Sequence, residues 1–302
     1  MTRIPALTPA RLRQLALPSL DDSADKEARG RVLIVGGSTE NPGGLLLAAE
    51  AAMRAGAGKL QLATADSVAS AVAIAVPEAR VFGFRDAAAE GVHPKAAGDV
   101  GERADRVDAL LIGPGLVDED AAARLARGVL KRVTRPAVVL DAGGLAALRD
   151  EPRALAHLEG RAVLTPHAGE MAQLLGMERE DVEADPEAAA RRAVEAFGAV
   201  VALKGPETTI VAPDGRVFRY TGGGVGLATS GSGDVLGGIV TGLLARGADA
   251  LRAAAWGVYL HGEAGNALAK RHGDVGFLAR ELPGEVPRIL HRTSASRPRR
   301  AG

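Results

Sequence analysis

Residues 109–141, ALLIGPGLVDEDAAARLARGVLKRVTRPAVVLD, contain a complete crossover unit. Ala109 to Ile112 is an unbroken apolar run of strand length, followed by the turn residues Gly113-Pro114-Gly115. Glu119 to Arg132 is rich in Ala, Leu and Arg and of helical length; Ala137 to Leu140 is a second apolar run, ending on Asp141. A strand with no polar face must be covered on both sides, and two such strands joined by a helix lie parallel.

The same alternation extends in both directions. Strand-length runs occur at Val32–Val35, Leu60–Ala63, Ala162–Leu164 and Val200–Leu203, and helical stretches at Gly44–Ala55, Ser67–Val76, Ala168–Leu175 and Pro186–Phe197. Thr208–Val211 and Arg216–Tyr220, joined by Pro213-Asp214-Gly215, read as a β-hairpin. Thr8-Pro9 opens a short helix reaching Leu15, and Asp21 to Glu27 reads as a solvated loop. Two glycine-punctuated helices, Asp234–Arg246 and Leu251–Arg271, are expected to finish the fold. Neither an internal repeat nor a Ser/Pro-rich linker interrupts the chain. The expectation is a single α/β domain over residues 1–290, with a central, mostly parallel sheet and helices on both faces. Residues 291–302, carrying Arg292, Arg297, Arg299 and Arg300, read as a disordered basic tail.

Composition narrows the function. Of 302 residues 47% are hydrophobic and 25% charged, enough apolar residue for a large core. Lys plus Arg and Asp plus Glu number 37 each, so the chain lacks the positive field of a nucleic-acid or polybasic membrane binder. The aromatic share of 3% argues against stacking platforms for single strands. With no cysteine, disulfides, thiolate metal sites and cysteine nucleophiles are excluded. No apolar leader follows Met1-Thr2-Arg3-Ile4-Pro5, and no run approaches a membrane span, so a cytoplasmic protein is expected.

Glycine, small polar and ionisable residues gather just after the strands: Gly36-Gly37-Ser38, Thr64, Gly113-Pro114-Gly115, Asp141-Ala142-Gly143-Gly144, Thr165-Pro166-His167 and Lys204-Gly205. Ligands of open parallel sheets bind at those ends. The strongest local signal is residues 221–238, TGGGVGLATSGSGDVLGG. Its glycines leave backbone N–H groups open to an anion, and Gly231-Ser232-Gly233-Asp234 leads into a helix. These amides suit a phosphoryl group in transfer, and Asp234 suits proton abstraction from an attacking hydroxyl. The bland alternative makes Asp234 a helix cap. P-loop, dinucleotide-fold and protein-kinase signatures are absent.

Thr165-Pro166-His167-Ala168-Gly169-Glu170 offers an imidazole to orient a substrate and a carboxylate to arrange Mg²⁺ or its waters, or else an acidic first turn complementing a helix dipole. Lys204, at a strand end beside Gly205, can reach a nucleotide phosphate or be an ordinary surface lysine. His261 reads as a packed histidine, His157 and His272 as exposed, and Trp256 as core.

Eight segments in order resemble the ADP-dependent NAD(P)H-hydrate dehydratase family, which has a ribokinase-like fold. They are LIVGGS (33–38), MRAGAGKL (53–60), IGPGL (112–116), LDAGGL (140–145), LTPHAGE (164–170), LKG (203–205), GSGDVL (231–236) and LHG (260–262). Histidine in Thr-Pro-His separates this family from vitamin-precursor kinases of the same fold, which usually have Asn there. The resemblance implies a repair reaction: ADP, or ATP in some members, phosphorylates the ring hydroxyl of hydrated NADH or NADPH, and phosphate leaves to restore the double bond. It implies Asp234 as the base, with Gly231, Ser232 and Gly233 around the phosphoryl oxygens. It implies Gly44, Gly115 and His167 at the hydrated dinucleotide. Lys204, Gly205, Pro206, Glu207, Thr208 and Gly233 fall at the adenine nucleotide, and Glu170 at Mg²⁺. Gly44, Gly144 and Gly223 depart from the family's usual Ala, Ala and Asn. A homo-oligomer, possibly a tetramer, is implied, as is a separate epimerase, since only about 30 residues precede the first strand. Two other readings stay open: an ATP-dependent kinase of a thiazole or pyrimidine alcohol, and a non-catalytic nucleotide-binding protein.

Overall fold

The computed structural model describes residues 4–19, 26–86, 91–149 and 151–295. The strands are β1 (Arg31–Val35), β2 (Lys59–Ala65), β3 (Ala79–Phe84), β4 (Ala109–Ile112), β5 (Ala137–Leu140), β6 (Ala162–Leu164), β7 (Val200–Leu203), β8 (Thr208–Val211) and β9 (Val217–Tyr220). They form one nine-stranded sheet in the order β3-β2-β1-β4-β5-β6-β7-β8-β9. Pairing is parallel from β3 across to β7 and antiparallel for β8 and β9.

The helices are α1 (Pro9–Gln14), α2 (Gly43–Arg54), α3 (Asp66–Ala75), α4 (Ala97–Ala104), α5 (Glu119–Leu130), α6 (Ala168–Leu175), α7 (Arg179–Ala184), α8 (Pro186–Phe197), α9 (Ser232–Ala245), α10 (Ala250–His272) and α11 (Leu282–Ser294). Alternate strand residues feed two cores. Val32, Ile34 and Leu111 join the side chains of α2, α9, α10 and α11, while Leu33, Val35, Leu110 and Ile112 join those of α4, α5, α6 and α8. Burial on both faces is why these strands have no polar alternation. Helices α2 and α9 approach closely because both are built of small residues: a Cβ on Gly238 would strike the Ala48 carbonyl, and one on Gly242 the Ala52 carbonyl.

Thr8 caps α1, its hydroxyl accepting from Arg11 N–H at 3.3 Å. The preceding segment pairs with β9 through Leu7 N–H to Arg219 O (2.7 Å) and Arg219 N–H to Pro5 O (3.1 Å), covering that sheet edge. Trp256 is core, its indole N–H donating to Leu15 O at 2.8 Å.

Four elements were not expected from the sequence. β3 is an edge strand, α4 precedes β4, the short α7 lies between α6 and α8, and α11 follows the two helices expected to close the fold. Helix α11 also carries residues 291–294, assigned above to the tail; Thr293 is buried against the protein, as are Val286 and Ile289 on the same face. Residues 296–302 and most of the expected Asp21–Glu27 loop lie outside the described residues. No described helix is long and apolar enough to cross a membrane.

Candidate active site

Strand order reverses direction between β1 and β4, and this topological switch point lies at their carboxyl ends. The two loops there are locked together, Gly37 N–H donating to Pro114 O at 2.7 Å. Gly115 takes φ +71, where side chains are strained, and a Cβ on it would collide with the Asn41 carbonyl. Gly44 stands in the first turn of α2, where Asn41 Oδ1 accepts its N–H at 3.4 Å. A Cβ built on Gly44 would sit 2.8 Å from Gly115 N and 3.0 Å from an Asp234 carboxylate oxygen. Gly44, Gly115 and Asp234 therefore meet at one corner, three loops distant in sequence.

Asp234 arrives there as the third residue of α9. Gly231 precedes the helix at φ +85, and a Cβ there would run into Leu47. The Ser232 N–H turns back to Thr229 O at 3.2 Å. That leaves the Gly233 and Asp234 amides at the positive end of the helix. The Ser232 amide, grouped with the glycine amides in the sequence reading, is thus already engaged, and what Ser232 offers is its hydroxyl. Asp234 is the acidic residue of the first turn of α9, whose cap position is Gly231.

A second corner is polar and buried. Lys204, directly after β7, places Nζ 2.9 Å from Asp141 Oδ1 and 3.7 Å from Glu170 Oε2. Asp141, directly after β5, is 1% exposed and also accepts from the Thr165 hydroxyl at 2.7 Å. Lys204 Nζ lies 3.3 Å from where a Cβ on Gly233 would stand, so the start of α9 passes directly over the ammonium. Burial works against the charge of Lys204, but Asp141, Glu170 and Asp234 outweigh it and hold its pKa above the ordinary lysine value. Burial raises Asp234 to about 7, reinforced by Asp141 and Glu170 and opposed by Lys204. A carboxyl poised near neutrality in a polar cleft is suited to exchange a proton with a substrate.

His167 is the residue before α6 rather than a member of it, so His167 and Glu170 form a reciprocal cap. His167 N–H donates to Glu170 Oε2 at 2.7 Å, and Glu170 N–H to His167 Nδ1 at 3.1 Å. The ring is exposed and stands between two cavities. One, of about 860 Å³, is lined by Lys204, Gly205, Pro206 and Glu207; the other, of about 280 Å³, by Leu116, Arg149 and Glu170. Thr208 does not line the larger cavity; Thr209 does, opposite Arg219, because alternate residues of β8 face opposite ways.

Among the described residues, no group of three His, Asp or Glu side chains could cage a metal alone. Mg²⁺ does not need one, since it commonly keeps waters and bridges phosphates through one or two carboxylates. Glu170, facing Lys204 at the cavity edge, fits that limited role. Asp141, Glu170 and ionised Asp234 also confront a single ammonium, which favours a cation accompanying a phosphate ligand.

Two residues of the site were not selected from sequence. Asp141 was visible only as a carboxylate ending an apolar run. His261, read as packed, lies partly buried with Nε2 2.9 Å from Ser232 Oγ. His157 and His272 are exposed, as expected.

The sheet, with its switch-point glycines and an aspartate at the start of a late helix, is the ribokinase-like arrangement. The chain belongs to the NAD(P)H-hydrate dehydratase family, whose model matches residues 32–288. It is 49% identical over 291 residues to the ADP-dependent (S)-NAD(P)H-hydrate dehydratase of Xanthomonas campestris pv. campestris, covering 96% of this chain and 97% of that one. Among solved structures it resembles a ribokinase-like superfamily protein of Enterococcus faecalis V583, with TM-score 0.83, 26% identity and coverage of 97% and 98%. It also resembles the ADP/ATP-dependent NAD(P)H-hydrate dehydratase of Bacillus subtilis co-crystallised with ATP/Mg²⁺, with TM-score 0.82, 29% identity and coverage of 97% and 100%.

Proposed function

We propose that this protein dehydrates hydrated NADH or NADPH at the expense of ADP or ATP, with Asp234 as the general base. The observation that carries the reading is the position of Asp234: third in α9, against Gly44 and Gly115, and held at about 7 by burial. With the carboxyl ionised, it accepts the proton of the ring hydroxyl as that oxygen attacks the terminal phosphoryl group. The bond to the nucleotide breaks, and the negative charge on the migrating group is met by the Gly233 and Asp234 amides and the Lys204 ammonium. The C–O bond of the phosphorylated ring then breaks, phosphate departs with the electron pair, and the adjacent ring carbon loses a proton to regenerate the double bond.

The nucleotide is assigned to the larger cavity, beside Lys204, Gly205, Pro206 and Glu207, and the hydrated ring to the corner of Gly44, Gly115 and Asp234, with the exposed His167 contacting the dinucleotide. Mg²⁺, with Glu170 arranging its waters, supplies neutralisation of the phosphates. A base fixed on one side of the ring acts on one epimer of the hydroxyl carbon, which is the basis for proposing a separate epimerase. Action in the cytoplasm, where reduced dinucleotides are used, and assembly into a homo-oligomer belong to the same proposal.

The test mixes purified protein with hydrated NADH, ADP and Mg²⁺ and follows the absorbance of reduced nicotinamide. Recovery that requires the nucleotide supports the assignment. No recovery from folded protein rejects it, and a stable phosphorylated product with no recovery indicates a kinase.

A further inference from the structure

The mechanism above leaves one polar pair unexplained. Ser232 is 5% exposed and its N–H is committed to Thr229, yet its hydroxyl points to an imidazole on a different helix, His261 of α10. The helix that carries it is closely packed. Gly262, next to His261, lets α10 close onto Tyr220, and Gly257 lets it close onto Val240 of α9; a Cβ at either position would collide. The pair stands at the first turn of α9, two residues before Asp234.

We propose that His261 is a positioning residue for phosphoryl transfer: its Nε2–H donates to Ser232 Oγ, turning the Ser232 proton toward the migrating phosphoryl group. A serine hydroxyl has one proton and accepting lone pairs. If a neighbour occupies the oxygen as a donor, the proton is free to reach an anion. A neutral imidazole serves this purpose without adding a second buried cation beside Lys204. Burial lowers the pKa of His261 to about 4, opposed by a hydrogen bond with the Ser232 backbone, with Lys204 also acting downward and Asp141 upward, so the ring stays neutral in the working range. The opposite arrangement, Ser232 donating to the ring, would spend the proton on His261 and leave nothing for the phosphoryl group.

This inference rests on the proposed reaction, and its test separates the two. The proteins compared are wild type, His261→Ala, His261→Gln, Ser232→Ala and the double alanine variant, each checked for folding by thermal melting. The readouts are kcat and KM for hydrated NADH, and ADP affinity by calorimetry with Mg²⁺. A hydrogen bond to a charged group predicts that each alanine variant loses roughly ten- to thirty-fold in kcat, while KM for the hydrate changes less than about twofold. The double variant falls no further than the worse single, because the two residues act as one unit. Glutamine, whose amide N–H can stand near Nε2, recovers most of the rate and keeps the wild-type shape of the pH profile. Losses that multiply in the double variant overturn the proposal, as does wild-type kcat in folded His261→Ala. If wild type itself fails to turn over the hydrate, the reaction is wrong and ADP affinity becomes the test. Affinity weakened roughly three- to ten-fold in each alanine variant, and no further in the double, then supports the pair's contact with phosphate; unchanged affinity overturns it.

Discussion

Replacing Asp234 with asparagine should stabilise the protein at alkaline pH. Burial holds this carboxyl at about 7 against its ordinary 3.8. The folded state therefore binds the proton more tightly than the unfolded chain does, and stability falls as pH rises between those two values. Above about 7 the whole cost of ionising a buried carboxylate is borne by the folded state. The displacement corresponds to ~4 kcal/mol. Asp234 is partly exposed, so solvent screening reduces the expectation to about 2 kcal/mol. Asparagine has nearly the same shape and never ionises, so the variant escapes this cost. Urea unfolding followed by circular dichroism should show Asp234→Asn more stable by about 2 kcal/mol near pH 8. The advantage should fall to roughly half near pH 5.5 and disappear near pH 4 as both folded and unfolded wild type become protonated. An advantage independent of pH, or a variant less stable than wild type near pH 8, would refute the placement of an ionisable, desolvated carboxyl there.

Other outcomes follow from neighbouring contacts. Lys204→Met removes the charge that draws Asp234 downward, so the rise of rate with pH should move to higher pH in initial-rate profiles. It also leaves Asp141 buried without its ion pair, at a cost of about 3–5 kcal/mol in urea titration that Asp141→Asn in the same chain should largely relieve. Glu170→Ala breaks the reciprocal cap with His167, lowering stability by about 1 kcal/mol, and should raise the Mg²⁺ concentration for half-maximal rate roughly fivefold. Gly238→Val drives a side chain into the Ala48 carbonyl and should destabilise by about 2–3 kcal/mol, measured by thermal and urea unfolding.

The parallel strands were legible because they are buried on both faces and so appear as continuous apolar runs. β3 lacks that signature. As an edge strand it is only partly buried, and its Phe82 is covered by the Arg80 and Arg103 guanidiniums, 4.8 Å and 4.1 Å from the ring centre. Polar residues that serve as packing hide a strand from a search for apolar runs. Pro283, Gly284 and Pro287 disguised α11, although Leu282, Val286 and Ile289 keep a helical stripe through them. At the site, the strand-end and glycine-loop motifs located Asp234, His167 and Lys204 through local chemistry. Asp141 and His261 depend on distance instead: Asp141 matters because β7 brings Lys204 beside β5, and His261 because α10 crosses the start of α9. Neither juxtaposition leaves a mark in sequence spacing. Glu170 falls in the first turn of α6, as its helix-dipole reading requires, and the reciprocal cap it forms there with His167 leaves it beside Lys204.

The central claim is that Asp234 deprotonates the ring hydroxyl during a nucleotide-dependent dehydration. Phosphate release and nicotinamide absorbance, followed together with hydrated NADH, ADP and Mg²⁺, test it most directly in wild type and Asp234→Asn. Wild type should release one phosphate for each reduced nicotinamide regenerated, while Asp234→Asn, still binding ADP, produces neither. Undiminished regeneration by Asp234→Asn would contradict the claim.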